Sequence, residues 1–176
     1  MYQSETSKFR HLFMSYCKGD GIDIGFGGDS IAPDAINIDF KIPYANTGNY
    51  PVHLKTLPGN AFLPWFTNES LDYVYSSHLL EDFPFTEEVL FEWIRVIKPL
   101  GFLCLLLPNE MRYREYCLKM GQTRNIHHIH EDFSLEKIKN ILSFHQMKII
   151  QEWEKLTYEP ELSNYNFAII AQKPEL

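Results

Sequence analysis

Gly21-Ile22-Asp23-Ile24-Gly25-Phe26-Gly27-Gly28 is the stretch on which the fold turns. Ile22-Asp23-Ile24 reads as a short strand that runs straight into a glycine cluster. Ala35-Ile36-Asn37-Ile38-Asp39 reads as a second strand ending in an acid, with ten residues between Gly28 and Asp39. Glycine suits positions where backbone must approach a ligand without a Cβ in the way, or where φ is positive. In an open parallel sheet such a turn lies at the strand's carboxyl end, where nucleotides bind. Asp39, at the tip of the second strand, is placed to accept hydrogen bonds from both ribose hydroxyls of a nucleoside. Glycine patterns of this kind also occur in ordinary turns, so specificity must come from the rest of the chain.

Working outward, Ser4 to Cys17 reads as an entry helix, with Phe9, Leu12, Phe13 and Tyr16 at helical spacing and Gly19 and Gly21 stopping it. Lys41 to Phe66 is rich in Pro, Gly and Asn, with one weak strand near Val52 to Thr56. Leu71 to Ser76 is the next strand. Thr86 is expected to cap a helix whose inner face carries Val89, Leu90, Trp93, Ile94 and Ile97, and Lys98-Pro99-Leu100-Gly101 to break it. Phe102 to Leu107 is an uninterrupted apolar strand, the pattern of a parallel sheet covered on both faces. Ser134 caps a helix buried through Leu135, Ile138, Ile141 and Leu142, and Met147–Leu156 and Asn166–Gln172 are closing strands. This alternation predicts an α/β fold: a Rossmann-like, doubly wound, mostly parallel sheet of about seven strands, with helices on both faces and the last strand antiparallel. No linker or repeat interrupts it, so residues 1–176 are read as a single domain: entry helix 1–18, core 19–156, closing strand 157–176.

Composition narrows the functional classes. The net charge is −7 with no basic stripe, which argues against nucleic acid as a partner. Cys17, Cys104 and Cys117 are odd in number and lack C-x-x-C spacing, so reduced thiols are expected. Lys8, Arg10, Lys18 and Asp20 interrupt any apolar leader, and the run Phe102–Pro108 is far too short to span a bilayer. The expectation is a cytoplasmic protein with no membrane insertion; oligomeric state is open, a homodimer included.

The chain resembles the class I S-adenosylmethionine-dependent methyltransferases, in particular the small-molecule group often called type 11. Residues 21–28 are similar to that family's acid-x-G-x-G turn, and Asn37-Ile38-Asp39 to its ribose-binding acid. Gly59-Asn60-Ala61-Phe62-Leu63-Pro64-Trp65-Phe66 resembles its G-D-A-x-x-L-P-F segment. Leu71 to Phe83, containing Ser76-Ser77-His78-Leu79-Leu80-Glu81-Asp82, resembles its D-x-V-x-S-S-H-x-L-E-H-F strand and turn. Ile97 to Phe102 matches its L-K-P-G-G turn, and the segment from His128-Ile129-His130 resembles its H-x-H-x-F stretch. The order of these motifs over residues 20–155 is more specific than any one of them. The resemblance implies S-adenosylmethionine as cofactor. Asp23 and the backbone at Gly25, Phe26 and Gly27 would face its methionine part, Asp39 its ribose, Asn60 and Ala61 its adenine, and Ser76 the sulfonium region. Asn60 stands where the family has Asp, Phe26 is bulkier than the usual residue, and the helix between the first two strands is reduced to one turn or missing.

A small or medium-sized organic methyl acceptor is expected, walled by residues 78–83 and 109–133, where Arg112, Tyr113, Arg114, Tyr116 and the histidines supply aromatic and titratable surface. His78, His128 and His130 are the candidate catalytic residues; for a hydroxyl acceptor one of them acts as base, with the rate rising through about pH 6.5. His78 serves equally well as a turn-capping residue, and Glu81 and Asp82 read as helix-stabilising or solvated. Competing readings are an NAD site, which lacks its third glycine, a non-catalytic methyltransferase-like binding module, and a metal-dependent hydrolase using residues His127 to Asp132. No second half of a metal site is evident at known spacing, so no metal ligand is assigned.

Overall fold

The computed structural model describes residues 4–39 and 61–175. A short helix α1 (Glu5–Phe9) continues into a 3-10 turn (Arg10–Leu12), followed by strands β1 (Gly21–Ile24), β2 (Ile36–Ile38) and β3 (Leu71–Ser77). A second 3-10 turn (Leu80–Asp82) leads to α2 (Thr86–Val96), β4 (Ile97–Pro108) and α3 (Glu110–Met120). α4 (Leu135–Phe144), β5 (Lys148–Tyr158) and β6 (Ser163–Gln172) complete the chain. The six strands form one sheet in the order β2-β1-β3-β4-β6-β5. β2, β1, β3 and β4 run parallel, and β6 is antiparallel to both β4 and β5.

The mostly parallel sheet with antiparallel closing strands agrees with expectation, at six strands among the described residues rather than about seven. The weak strand placed near Val52–Thr56 lies outside those residues. Period-2 alternation sorts the strands into two cores. Val74, Leu103, Leu105, Leu107, Phe167 and Ile169 pack on one face with Val89, Trp93, Ile138 and Leu142 of α2 and α4. Tyr73, Tyr75, Cys104, Leu106, Ala168 and Ile170 pack on the other with Phe9, Phe13 and Cys17 from the entry segment. Both faces are thus covered, which is why β4 reads as a continuous apolar run. All three cysteines are buried free thiols. Among the described residues no helix is long and apolar enough to cross a membrane.

Several local expectations are corrected. The entry helix is a single turn of α-helix plus a 3-10 turn, because φ −124° at Phe9 breaks the ladder. Thr86 is the first residue of α2 and not its cap; Phe85 precedes it and makes no side-chain capping bond. Ile97 has left the helix to begin β4, and the Lys98–Gly101 turn is absorbed into that strand as an irregularity between pairs Leu71–Ile97 and Tyr73–Phe102. Gly101 is required there, since a Cβ would sit 2.8 Å from the Asp72 carbonyl oxygen. Ser134 caps α4 as expected, its hydroxyl accepting from Lys137 N. α3 was not anticipated; it packs on β6 between an Asn109 cap and Gly121 in the left-handed region.

Trp93 is the largest fully buried side chain, with no exposed surface. Trp93→Ala should therefore cost about 3–5 kcal/mol. A urea titration should show the midpoint falling accordingly, and a loss under 1 kcal/mol would mean that α2 is not docked on the sheet as described.

Candidate active site

The register of the parallel strands aligns the tips of β1, β2 and β3. Ile24 lies beside both Ile38 and Ser76, so the glycine turn, Asp39 and the residues after Ser77 share the carboxyl edge of the sheet. Gly25 adopts φ +73°, and a Cβ on it would come within 2.8 Å of Leu79 Cδ2. Only glycine accommodates both the left-handed backbone and that close approach. Gly25 N donates to Ile38 O at 2.7 Å, and Gly27 N donates to Asp39 Oδ2 at 2.9 Å. Ser76, fully buried, donates from its hydroxyl to Ile24 O at 2.9 Å and so ties the β3 tip to the β1 tip. The turn, Asp39 and Ser76 therefore come together; Asn60 lies outside the described residues. Ala61 and Phe66 each pack against the core, and Phe26 is buried.

Asp23 points to the entry-segment face. Its side chain has no exposed surface; Oδ2 accepts from Ile31 N at 2.7 Å, while Oδ1 has no hydrogen-bond partner among the described residues. Burial pushes its carboxyl up to about 8, with the Ile31 N–H and the Arg10 guanidinium opposing that shift and Asp29 and Asp39 adding to it. No helix forms between β1 and β2. Instead, the connection is clamped: Asp29 accepts from the Ser4 and Ser7 hydroxyls and from Arg10 at 2.5 Å, and Arg10 also donates to Ile31 O at 2.8 Å.

Beyond β3 the chain turns at His78, φ +51°, and a polar cluster fills the space between this turn and the loop after α3. His78 Nε2 meets Asn166 Oδ1 at 2.9 Å, and Asn166 Nδ2 donates to Glu5 at 2.7 Å. The amide is oriented by Glu5, so His78 carries its proton on Nε2. Burial lowers the His78 proton affinity to about 4, against the opposing pull of Glu5. His78 is thus neutral near pH 7 and does not meet the expected inflection near 6.5. His128, 6% exposed, meets Glu110 Oε2 through Nδ1 at 3.0 Å and lies against the Tyr113 ring, 4.7 Å between centroids. His130 Nε2 lies 2.7 Å from Phe83 O, so it donates to that carbonyl and ties the two segments together.

Glu81 overturns an expectation: at 1% exposure it is neither solvated nor capping. Burial, with the nearby Asp82 and Glu110 carboxylates, raises its carboxyl well above the ordinary value. Glu110, Asn166 and Tyr165 were not singled out from the sequence. The Asn109-Glu110 pair is a legible cap signal, but α3 has no clear apolar stripe to support it. His127 and Asp132 are exposed, and Asp132 pairs with Lys137 at 2.8 Å. Of the residues expected for a hydrolase site, His128 is the one among the described residues whose ring nitrogen stands with the Glu81 and Asp82 carboxylates. Trp65 is exposed, while Tyr113 and Tyr116 pack edge-on and tilted against Tyr165 within the cluster's wall. Tyr44 lies outside the described residues.

Residues 22–105 match the family model of the methyltransferase domain. Among solved structures, the chain is similar to a SAM-dependent methyltransferase of Methanosarcina mazei (19% identity, 94% of this chain and 98% of that one, TM-score 0.64). It is also similar to a SAM-dependent methyltransferase of Archaeoglobus fulgidus (18% identity, 96% and 94%, TM-score 0.62). A third likeness is to a possible histamine N-methyltransferase of Thermotoga maritima (17% identity, 95% and 88%, TM-score 0.71). At these identities the likenesses establish the fold. No curated protein matches by sequence.

The raised Asp23 carboxyl has a signed consequence. Its folded value near 8 exceeds the unfolded value near 3.8, so the folded state holds a proton that the unfolded state loses between these limits. Stability from this group is complete below about pH 4 and declines as pH rises to about 8. Asp23→Asn should flatten that decline. Melting curves from pH 5 to 8.5 should fall more steeply for the wild type, and parallel slopes would contradict the assignment.

Proposed function

We propose, from the match of residues 22–105 to the methyltransferase-domain family model and from the methyltransferase-like fold, that this chain is a class I methyltransferase that binds S-adenosylmethionine at the β1–β2 edge and methylates a small or medium-sized organic acceptor. The observation that carries this is the pairing of the glycine turn with two buried acids, Asp39 bonded to Gly27 N and Asp23 with one oxygen unpartnered. The residues fit the group. A buried, orphaned carboxylate oxygen suits the cofactor's ammonium, whose charge would draw the Asp23 carboxyl back to its ionised form. Asp39, held at the tip of β2, suits the ribose hydroxyls, and Ala61, on the edge of the core, suits the adenine. Asn60 would accept from the adenine amino group through its amide oxygen.

The cofactor supplies an activated methyl on a sulfonium, and the protein supplies position and exclusion of water. Ser76 and the turn at His78 stand at the same edge as Gly25, an arrangement that supports an acceptor side over residues 78–83. Its walls are the 78–83 turn and the 109–133 segment, joined by the His130–Phe83 bond. His78 and His128 each have one ring nitrogen committed to a fixed partner, and that arrangement suits orienting a polar acceptor. The acidic balance of the chain, −7, disfavours a polyanion as acceptor.

S-adenosylhomocysteine at a hundredfold excess over its dissociation constant should stabilise the fold by about 2.7 kcal/mol and raise the melting point by several degrees. NAD and ATP should do much less. Asp39→Ala should weaken that binding at least tenfold, the equivalent of losing a charge-assisted contact of about 1.5–3 kcal/mol, with the circular dichroism spectrum intact. His78→Ala, His128→Ala and His130→Ala should keep cofactor affinity, and at least one should slow methyl transfer. Full activity in all three, on an acceptor found by screening for S-adenosylhomocysteine release, would remove the histidines from the reaction.

A further inference from the structure

Glu81, Asp82 and His128 each bring one potential ligand atom to the same point, all within 4.8 Å of one another. Glu81 stands out among them. Its side chain is 1% exposed, and neither carboxylate oxygen has a hydrogen-bond partner among the described residues. Arg114 and Arg124 pair with Glu110, at 3.1 Å each, while Glu81 faces the His78 and His128 imidazoles with the Asp82 and Glu110 carboxylates nearby.

The surroundings fix how those imidazoles present themselves. His128 Nδ1 lies 3.0 Å from Glu110 Oε2, an acceptor-only group when ionised, so Nδ1 carries the proton and Nε2 turns its lone pair toward Glu81. His78 is committed in the same way: Nε2–H goes to Asn166, and the Nδ1 lone pair faces Glu81 Oε1 at 3.7 Å. Lone pairs aimed at an unpartnered carboxylate in a dry site repel it, unless a proton or a metal cation stands between them. The spacing suits a cation and is too wide for a hydrogen bond. His128 Nε2 and Glu81 Oε1 are 3.5 Å apart, whereas two ligands at about 2.0–2.1 Å from a tetrahedral ion are separated by about 3.4 Å. The Glu110–His128 contact is also the usual support of a metal-bound histidine, a carboxylate that receives its second ring proton.

We infer that Glu81, Asp82 and His128 form a binding site for a divalent transition ion of the zinc or manganese kind, with Glu110 positioning His128 and His78 on its flank. Two carboxylates and one imidazole are a mixed oxygen–nitrogen set that suits these ions and leaves coordination positions for a further ligand. The site lies in the turn after β3, on the acceptor side of the methyl-transfer reading. An acceptor bearing a hydroxyl or carboxylate oxygen is the chemical class that such an ion would hold there. The inference rests on that reading for the acceptor but not for the ion, which is measured without methyl transfer.

The test uses the tag-free full chain, stripped with a chelator and titrated calorimetrically with Zn2+ and, separately, Mn2+. One ion should bind per chain, and Co2+ in its place should give a visible ligand-field spectrum. Glu81→Gln and the more exposed Asp82→Asn should each weaken uptake at least tenfold. Both variants should still bind S-adenosylhomocysteine, which shows that they are folded and separates failure of the metal site from failure of the cofactor reading. No uptake of either ion by the wild-type chain overturns the inference. Uptake that is unchanged in both variants overturns it equally, because the ion would then sit elsewhere.

Discussion

A carboxylate with no exposed surface, Asp23, organises the functional edge by accepting the Ile31 N–H at 2.7 Å from across a connection that has no helix to stiffen it. A doubly wound unit ordinarily uses a crossover helix to bring its second strand alongside the first. Here an eleven-residue connection is held through side chains: Asp23 from below, Asp39 through Gly27, and the Asp29–Arg10–Ser4–Ser7 clamp from the entry segment. Burying an acid unpaired on one oxygen is costly, as its raised carboxyl shows, and the cost falls where the turn must stay close to both strands.

The same edge carries a second polar concentration of the opposite design. Around the glycine turn Asp23, Asp39 and Ser76 bond to backbone groups, whereas around His78 and His128 side chains from distant segments meet one another: Glu5, Glu81, Glu110 and Asn166. Aromatic rings wall this cluster on one side, with Tyr113 meeting Tyr165 edge-on and Tyr116 tilted against it, each at about 5 Å. Within this buried network Glu81 has both carboxylate oxygens without a hydrogen-bond partner among the described residues, which concentrates unmet demand there. By contrast, the cleft of about 390 Å3 that includes Asn68, Phe91 and Lys173 lies at the other end of the strands, among residues that share none of this chemistry.

What was legible in the sequence was what is decided locally. The β1 turn needs glycine for its dihedrals, β4 needs apolar residues on both faces, and α4 needs Ser134, so each announces itself over a few residues. α3 was hidden because its burial rests on Cys117 and Glu110 rather than on an apolar stripe, although Asn109 and Gly121 bracket it correctly. Thr86 misled because a hydroxyl before an apolar run usually caps, whereas here Phe85 takes that place without a capping bond. Glu81 read as surface because charged residues in turns usually are. Its burial follows from the packing of residues 110–133 over the β3 turn, a contact between segments far apart in the chain that no local pattern encodes.

The most direct test of the central claim is a crystal structure of the chain with S-adenosylhomocysteine. The account predicts the ligand at the carboxyl edge of β1 and β2, its ribose hydroxyls on Asp39 and its ammonium within hydrogen-bond distance of Asp23 Oδ1. A ligand seated elsewhere, or an empty glycine turn at saturating ligand with the same Asp39–Gly27 bond intact, would contradict it.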